Sequence, residues 1–442
     1  MADNTTDTGE LRKVTYNEQE VRDYHHSYPN HGKIEIVGKT PATNAKDLTF
    51  AYSPGLAIAC KAIQKNPLDL YNMTNIGNSI AVISNGTRIL GLGDIGIAGY
   101  PVMEGKSLLF KALADVDAFP LILNQMDPDK FIDIVAGLSQ NFSGINLEDI
   151  RKPDCFYIER KLNKMLDIPI FHDDQWGTAI VTLAGVLNAI KVVGKKIGDV
   201  RVTMNGAGAS GIAISHMLLE AGVKRSNMNT IDRVGTIYSG RGAMDPYKEE
   251  LAHELNPKKL ALSLEEAVKG TDILIGASSA GAFTQDMVRS MNDDAIVFAI
   301  ANPTPEIYPT LAHEAGAVIV GTGRSDFPNQ INNVLGFPGI FRGVLDVRAS
   351  EVTKRMKVAA AHAIASMTSE EELSPSKIIT TPTDPLLMAT EAAAVAEAAM
   401  QDNVARLERS PSEIFDLTCQ RIEFYKKYHG KLVETRNQLR TL

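Results

Sequence analysis

Cysteine is nearly absent from this chain. The three residues present in 442, Cys60, Cys155 and Cys419, are far apart and include no Cys-x-x-Cys pair. That scarcity excludes a disulfide framework and a thiolate zinc site, and predicts a reducing, cytoplasmic compartment. Long apolar runs are missing as well. None reaches the length of a bilayer-spanning helix, and the polar start, Met1 to Glu10, has no apolar signal core, so neither membrane insertion nor secretion is expected. Positive charge is in deficit: 45 Lys and Arg face 53 Asp and Glu, a net charge of -8. This argues against nonspecific nucleic-acid binding and gives no reason to expect a membrane surface. An anionic ligand would need a few placed Lys or Arg side chains, or a metal. No internal repeat is evident.

What remains is ordinary for a soluble globular protein, with 44% apolar and 22% charged residues. The length is too great for one core and suits two large α/β domains plus a tail. Residues 1–30 are polar and read as an arm. Residues 31–175 mix short apolar runs with helical patterns, and 176–400 alternate strand and helix. Residues 401–442 form a helical extension, highly charged from 409, that faces solvent or a partner. Ile80-Ala81-Val82-Ile83-Ser84-Asn85-Gly86-Thr87-Arg88-Ile89-Leu90 predicts a hairpin around Asn-Gly. Lys106 to Ala114 and Gly177 to Val193 read as helices, the second joining the two domains. Strands are expected at Val202–Met204, Met228–Ile231, Ile273–Ile275, Ile296–Ala299 and Ala317–Val320. Their spacing favours a parallel, Rossmann-like sheet covered on both faces. Ala-rich helices follow at Met356–Ile364 and Met388–Met400.

The most informative segment is Phe171-His172-Asp173-Asp174-Gln175-Trp176-Gly177-Thr178-Ala179. Two adjacent carboxylates after an apolar run repel each other and resist desolvation unless a cation lies beside them. A second pair, Glu148-Asp149, lies upstream. Hard oxygen donors in pairs suit Mg²⁺ or Mn²⁺, and no Cys/His cluster points to zinc.

Gly-x-Gly-x-x-Gly occurs twice. Gly206-Ala207-Gly208-Ala209-Ser210-Gly211 follows a strand, opens an apolar helix and precedes Asp232 by 21 residues. That is the context for a dinucleotide: glycines admit the pyrophosphate, the helix N-terminus stabilises its charge, and the acid bonds the ribose. Asp232 favours NAD, while the adjacent Arg233 could pair with the 2′-phosphate of NADP. Gly91-Leu92-Gly93-Asp94-Ile95-Gly96 also matches, but Gly99 and Pro101 interrupt the helix that should follow. It reads as a tight turn holding Arg88 and Lys106 near a common centre.

Further segments complete the pattern: Tyr52 in Ala51-Tyr52-Ser53-Pro54-Gly55, Arg88 in Thr87-Arg88-Ile89-Leu90-Gly91, and Lys106 after Glu104-Gly105. Asn302 stands in Asn302-Pro303-Thr304, and Asn333 in Asn332-Asn333-Val334-Leu335-Gly336. With the two acidic segments, this set resembles the malic enzymes in their short bacterial and archaeal form, over roughly residues 30–400. The resemblance implies a malic-enzyme N-terminal domain followed by a dinucleotide-binding domain. It also implies oxidative decarboxylation of L-malate to pyruvate and CO₂, with NAD or NADP and a divalent metal. Glu148, Asp149 and Asp174 would be the metal ligands. Lys106, paired with Asp173, would be the general base and Tyr52 the general acid. Arg88, Asn302 and Asn333 would hold substrate carboxylates, with Asn302 also at the cofactor. A homodimer is implied, with the partner's N-terminal region completing the site.

The chemistry needs these residue types. A lysine takes a hydroxyl proton only when neutral, so its pKa must fall through burial or nearby positive charge, whereas Asp173 raises it. Oxaloacetate, the β-keto acid, then loses CO₂, and a phenol protonates C3. Some residues depart from the family pattern: Trp176 stands where His is usual, and Tyr100 where Lys is common. A metal-dependent oxaloacetate decarboxylase on the same scaffold is the alternative reading. A non-catalytic module sensing NAD and dicarboxylates is a second, disfavoured because Lys106, Tyr52 and the metal carboxylates are all present.

Overall fold

The computed structural model describes residues 17–26 and 31–440. Most of the expected arm, residues 1–30, falls outside them; the part described includes a short helix, Glu18–His25, with no buried residue. Two compact units are present, and each is discontinuous in sequence. One holds His25–Asp173, Phe337–Met356 and Met388–Leu442; the other holds Asp174–Gly336 and Lys357–Leu387, with residues 17–24. No helix is long and apolar enough to cross a membrane among the described residues.

The first unit is built on four parallel strands: β1 (Ser79–Ser84), β2 (Asp117–Ile122), β3 (Ile145–Leu147) and β4 (Ile170–His172), in the order β2-β1-β3-β4. β1 is central and wholly buried. Its Ile80, Val82 and Ile83 have no exposed surface, burial that stabilises by about 1.5–3 kcal/mol each. Pro120 lies in the edge strand β2, where a missing N–H is tolerated.

The hairpin expected after β1 does not form. Both edges of β1 are occupied by parallel neighbours, with Val82 opposite Pro120 on one side and Asn146 on the other. Beyond Asn85-Gly86 the chain turns away, and Ile89 makes only an isolated bridge to Gly93. An unbroken apolar run such as Ile80–Ile83 marks a strand buried on both faces rather than one arm of a hairpin.

The helix expected at Lys106–Ala114 starts earlier, at Tyr100, with Pro101 in its first turn and Asp115 ending it in left-handed conformation. Phe110, Phe337, Phe341 and Phe171 form a chain of ring contacts beneath it. The charged C-terminal stretch is one helix, Pro411–Arg440. It is not solvated all round: Ile414, Thr418 and Ile422, at helical spacing, are buried.

The second unit carries a six-stranded sheet. Its strands are β5 (Val202–Asn205), β6 (Met228–Asp232), β7 (Gly235–Thr236), β8 (Ile273–Gly276), β9 (Ile296–Ala299) and β10 (Ile319–Thr322), ordered β10-β9-β8-β5-β6-β7. All pairs are parallel except β6 with β7. The last strand begins two residues later than expected, because the Ala317 N–H closes the preceding helix on Ala312 O. The order reverses at β5, whose successors lie on opposite sides. Such a switch point opens a crevice at the carboxyl ends of the strands. The helices expected near 177, 356 and 388 form as Asp173–Val192, Lys354–Ser366 and Leu387–Gln401.

Candidate functional site

Strand register brings the two acidic pairs together. β3 and β4 are adjacent and parallel, with Leu147 opposite His172, so Glu148-Asp149 and Asp173-Asp174 leave the sheet side by side. The Glu148 N–H donates to Ile83 O, and Asp149 turns the chain with a positive φ of 52°. The Asp149 carbonyl accepts from the Arg88 N–H at 3.0 Å. Asp174 follows Asp173 in the first turn of the Asp173–Val192 helix and is placed by that peptide bond. Glu148, Asp149 and Asp174 each offer one carboxylate oxygen, all within 4.8 Å of one another. An oxygen-only set of three carboxylates fits Mg²⁺ or Mn²⁺.

Lys106 enters this cluster from the Tyr100–Ala114 helix. Its Nζ lies 2.9 Å from the Glu148 carboxylate, bonds to Asp173, and sits 4.2 Å from the Phe337 ring centroid. The exposures of Lys106, Glu148 and Asp173 are only 7, 5 and 0%. Burial alone would depress the Lys106 pKa, but the charges of Asp173 and then Glu148 outweigh it and hold the ammonium above its ordinary value. Glu148 is anchored in turn by Asn146 Nδ2 at 2.9 Å. His172 is fully buried, and burial pushes its pKa down, which favours the neutral imidazole.

The second unit presents the fingerprint at the switch point. Gly206, with φ of 122°, packs where a Cβ would meet Ala277 O at 2.4 Å, and a Cβ on Gly211 would lie 1.7 Å from Gly206 O. Both positions therefore require glycine. Gly208 precedes the Ala209–Glu220 helix, whose first turn holds Ser210 and no acidic side chain to repel a pyrophosphate.

Asp232 ends β6 as expected, but two cations that sequence reading missed already engage it. Arg241 Nη2 lies at 2.6 Å and Lys248 Nζ at 2.7 Å. Burial works against the Asp232 carboxylate, yet the Arg241 and Lys248 bonds hold its pKa far below the usual range. Arg233 is exposed. No local pattern marked Arg241 and Lys248, 9 and 16 residues on, because the folding back of β7 and the following helix brings them in.

The remaining expected residues lie on other segments of the chain. Tyr52 follows the Ala45–Ala51 helix and is 73% exposed. Arg88 is exposed beside the second glycine turn, whose Ile95 N–H donates to Gly86 O. Asn302 is exposed after β9, its amide lying over Gly323, where a Cβ would meet Nδ2 at 2.6 Å. Asn333 is half-buried in a short turn, Asn333–Leu335. Trp176 stacks under the Lys357 ammonium, 3.5 Å from the ring centroid, so the lone indole is a cation platform on its own helix.

A glycine fingerprint at a parallel-sheet switch point, with an oxygen-only carboxylate cluster suited to a divalent cation and an embedded lysine, has the features of an α/β dinucleotide enzyme. Comparison with known proteins agrees. Residues 31–163 match the family model for the malic enzyme N-terminal domain, and 176–400 that for the malic enzyme NAD-binding domain. The chain belongs to the malic enzyme family. It is 51% identical over 391 residues to the bifunctional malic/malolactic enzyme of Bacillus subtilis, spanning 88% of this chain and 95% of that protein. It is 49% identical to the NAD-dependent malic enzyme of Geobacillus stearothermophilus, over 86% of this chain and 79% of the relative. Identity is also 49% to the NADP-dependent malic enzyme of Haemophilus influenzae, over 86% of this chain but only 52% of that longer protein. The solved malic enzyme of Pyrococcus horikoshii superposes with a TM-score of 0.92 at 47% identity, covering 95% of this chain and 99% of its own.

Proposed function

We propose that this chain oxidatively decarboxylates L-malate to pyruvate and CO₂, reducing NAD(P). The observation that carries the reading is the buried Lys106, bonded to Asp173 and sharing Glu148 with the three-carboxylate cluster. When bound, the dinucleotide supplies a hydride acceptor and the divalent ion a Lewis acid for the C2 oxygen. Glu148, Asp149 and Asp174 would hold the ion. Lys106 takes the C2 hydroxyl proton, oriented by Asp173. Glu148 and Asp173 together hold Lys106 as the ammonium; Glu148 drawn toward a bound cation would release part of that hold, and the neutral amine so favoured is the form that takes the proton. Arg88, Asn302 and Asn333 orient the two substrate carboxylates. Tyr52 returns a proton to C3 once CO₂ has left. The fingerprint-bearing sheet favours this redox reading over an oxaloacetate decarboxylase without net oxidation.

Residues 31–175 would be the catalytic domain and 176–400 the dinucleotide domain, with Gly206, Gly208, Ala209, Ser210 and Gly211 cradling the pyrophosphate. At the adenosine end, one carboxylate, Asp232, is outnumbered by Arg233, Arg241 and Lys248. This balance supports NADP over the NAD that Asp232 alone suggests. A homodimer is supported by the segment carrying Tyr52: the helices Ala45–Ala51 and Leu56–Lys65 bury no residue, and Phe50 and Ile58 are 67 and 77% exposed. A second copy covering this face would couple Tyr52 to assembly. A cytoplasmic enzyme fits the reduced cysteines.

The test is absorbance at the reduced-nicotinamide band with L-malate and Mn²⁺, run with NAD and with NADP. Reduction abolished by a chelator is expected. No reduction with either dinucleotide, alongside pyruvate release from oxaloacetate, would replace this reading with the decarboxylase.

A further inference from the structure

One buried carboxylate stands outside the chemistry described so far. Glu306, in the loop after β9, has no exposed surface. Its Oε1 accepts from the Ser278 N–H at 2.7 Å and from the Ser278 hydroxyl at 3.3 Å. Its Oε2 accepts from the Ala301 N–H at 3.0 Å. Ser278 Oγ accepts in turn from Asn205 Nδ2 at 2.9 Å. Asn205 is the last residue of β5 and immediately precedes Gly206; Ser278 follows β8; Ala301 immediately precedes Asn302. This side chain therefore ties together the carboxyl ends of β8 and β9 directly and, through the Ser278 hydroxyl, that of β5, where the order of the sheet reverses.

The surrounding backbone is built around it. Gly276, ending β8, admits the carboxyl because a Cβ there would lie 2.6 Å from Glu306 Cδ. The Glu306 main chain also accepts from the Phe283 N–H at 3.0 Å, closing the other end of the Ser278 turn. On the far side Arg324 Nη1 donates to Pro303 O at 3.0 Å, so the Asn302 segment is held from both flanks. Burying a carboxyl is costly, and a loop that needed only packing would be served by an apolar side chain. What the carboxylate adds is two acceptors in fixed directions, each matched to a backbone N–H of a different loop.

We propose that Glu306 is a positioning residue for the dinucleotide: it fixes the Ser278 turn and the Asn302 segment against the glycine fingerprint, so that the crevice is shaped before the ligand arrives. The proposal rests on reading that crevice as the dinucleotide site. Preorganisation of this kind acts on affinity, since the loops would otherwise be ordered at the expense of binding energy.

The test is Glu306→Gln, which keeps the volume but turns an N–H₂ donor toward one of the two backbone N–H groups. In the purified variant, the Kd and KM for the dinucleotide are expected to rise about tenfold, with kcat at saturating dinucleotide changed less than threefold. Mn²⁺ affinity, read by EPR, should match the parent. Glu306→Asp, with both acceptors retained on a shorter arm, should recover part of the affinity. An unchanged dinucleotide Kd, or a fall in kcat with KM unmoved, would overturn the proposal. If the parent itself bound no dinucleotide, the underlying site reading would fail instead. Should Glu306→Gln not accumulate as folded protein, Asn205→Ala and Ser278→Ala carry the test. Asn205→Ala removes the outer bond and Ser278→Ala both hydroxyl bonds; a Kd rise of about threefold is expected in each, and no change in either would refute the network.

Discussion

Replacing Gly211 with alanine places a methyl carbon 1.7 Å from the Gly206 carbonyl oxygen. Ordinary contact begins near 3.4 Å, so the turn and helix must part by a distance close to that 1.7 Å. Neither side yields readily. Gly206 N–H is bonded to Ile231 O and its Cα is packed against Ala277 O, while the helix buries Ile212, Ile214, Met217 and Leu218. Overpacking in a filled core costs about 1–3 kcal/mol, and here both partners are backbone, so the upper end applies. For a unit of this size about 3 kcal/mol lowers Tm by about 6–12 °C. The functional loss should be larger than the stability loss, because the helix N-terminus is displaced from the pyrophosphate; a misplacement of about 1 Å at a working site can cost about 10²-fold. The assay is a fluorescence titration of reduced dinucleotide, with Mn²⁺ binding as an internal control, since two of its three carboxylates, Glu148 and Asp149, follow β3 in the other unit and the third, Asp174, opens a different helix from the one Gly211 lies in. A variant with parent-like dinucleotide Kd and Tm would refute the close-packed turn and with it the cradle.

The other predictions concern charge. Lys248→Gln removes one of the two cations on Asp232, so KM for NADP should rise about tenfold or more while KM for NAD changes little; equal effects on both would exclude a 2′-phosphate contact. Tyr52→Phe should retain Mn²⁺ and dinucleotide binding but stall protonation at C3, and full malate turnover would remove Tyr52 from the mechanism. Glu391 is fully buried with neither carboxylate oxygen hydrogen-bonded, and burial raises its pKa well above the ordinary value. A carboxyl raised on folding is neutral and harmless below its unfolded pKa of about 4.3 and erodes stability as pH climbs toward the folded value. Glu391→Gln should therefore raise Tm at pH 8 relative to the parent and leave it nearly unchanged at pH 4; a gain independent of pH would show that ionisation is not the cause.

Much of this protein was legible in its sequence because the signals are local. The strand, the glycine spacing and the apolar helix at 201–220 all lie within one supersecondary unit, so periodicity and turn chemistry point the same way. The acidic pairs after Leu147 and His172 were legible as pairs for the same reason. Their meeting was not: it follows from parallel register between β3 and β4. The hairpin after β1 failed because pairing partners for that strand come from residues 117–122 and 145–147, which no local pattern announces. The second glycine motif was set aside because Gly99 and Pro101 were read as interrupting the helix that should follow; in the structure Pro101 instead lies in the first turn of a helix that begins at Tyr100.

The sequence by itself determined the strand and helix alternation from 201 onward, where the glycine turn lies and which oxygen donors are available. Those properties depend on side-chain period, backbone freedom at glycine and charge, all short-range. Tertiary structure alone decided that Lys106 is buried between Glu148 and Asp173, that Arg241 and Lys248 surround Asp232, and that Glu306 ties β5, β8 and β9 together. Each brings charged or polar groups from separate segments within hydrogen-bond reach, and only the packed sheets fix that geometry and desolvate the ions enough for it to matter.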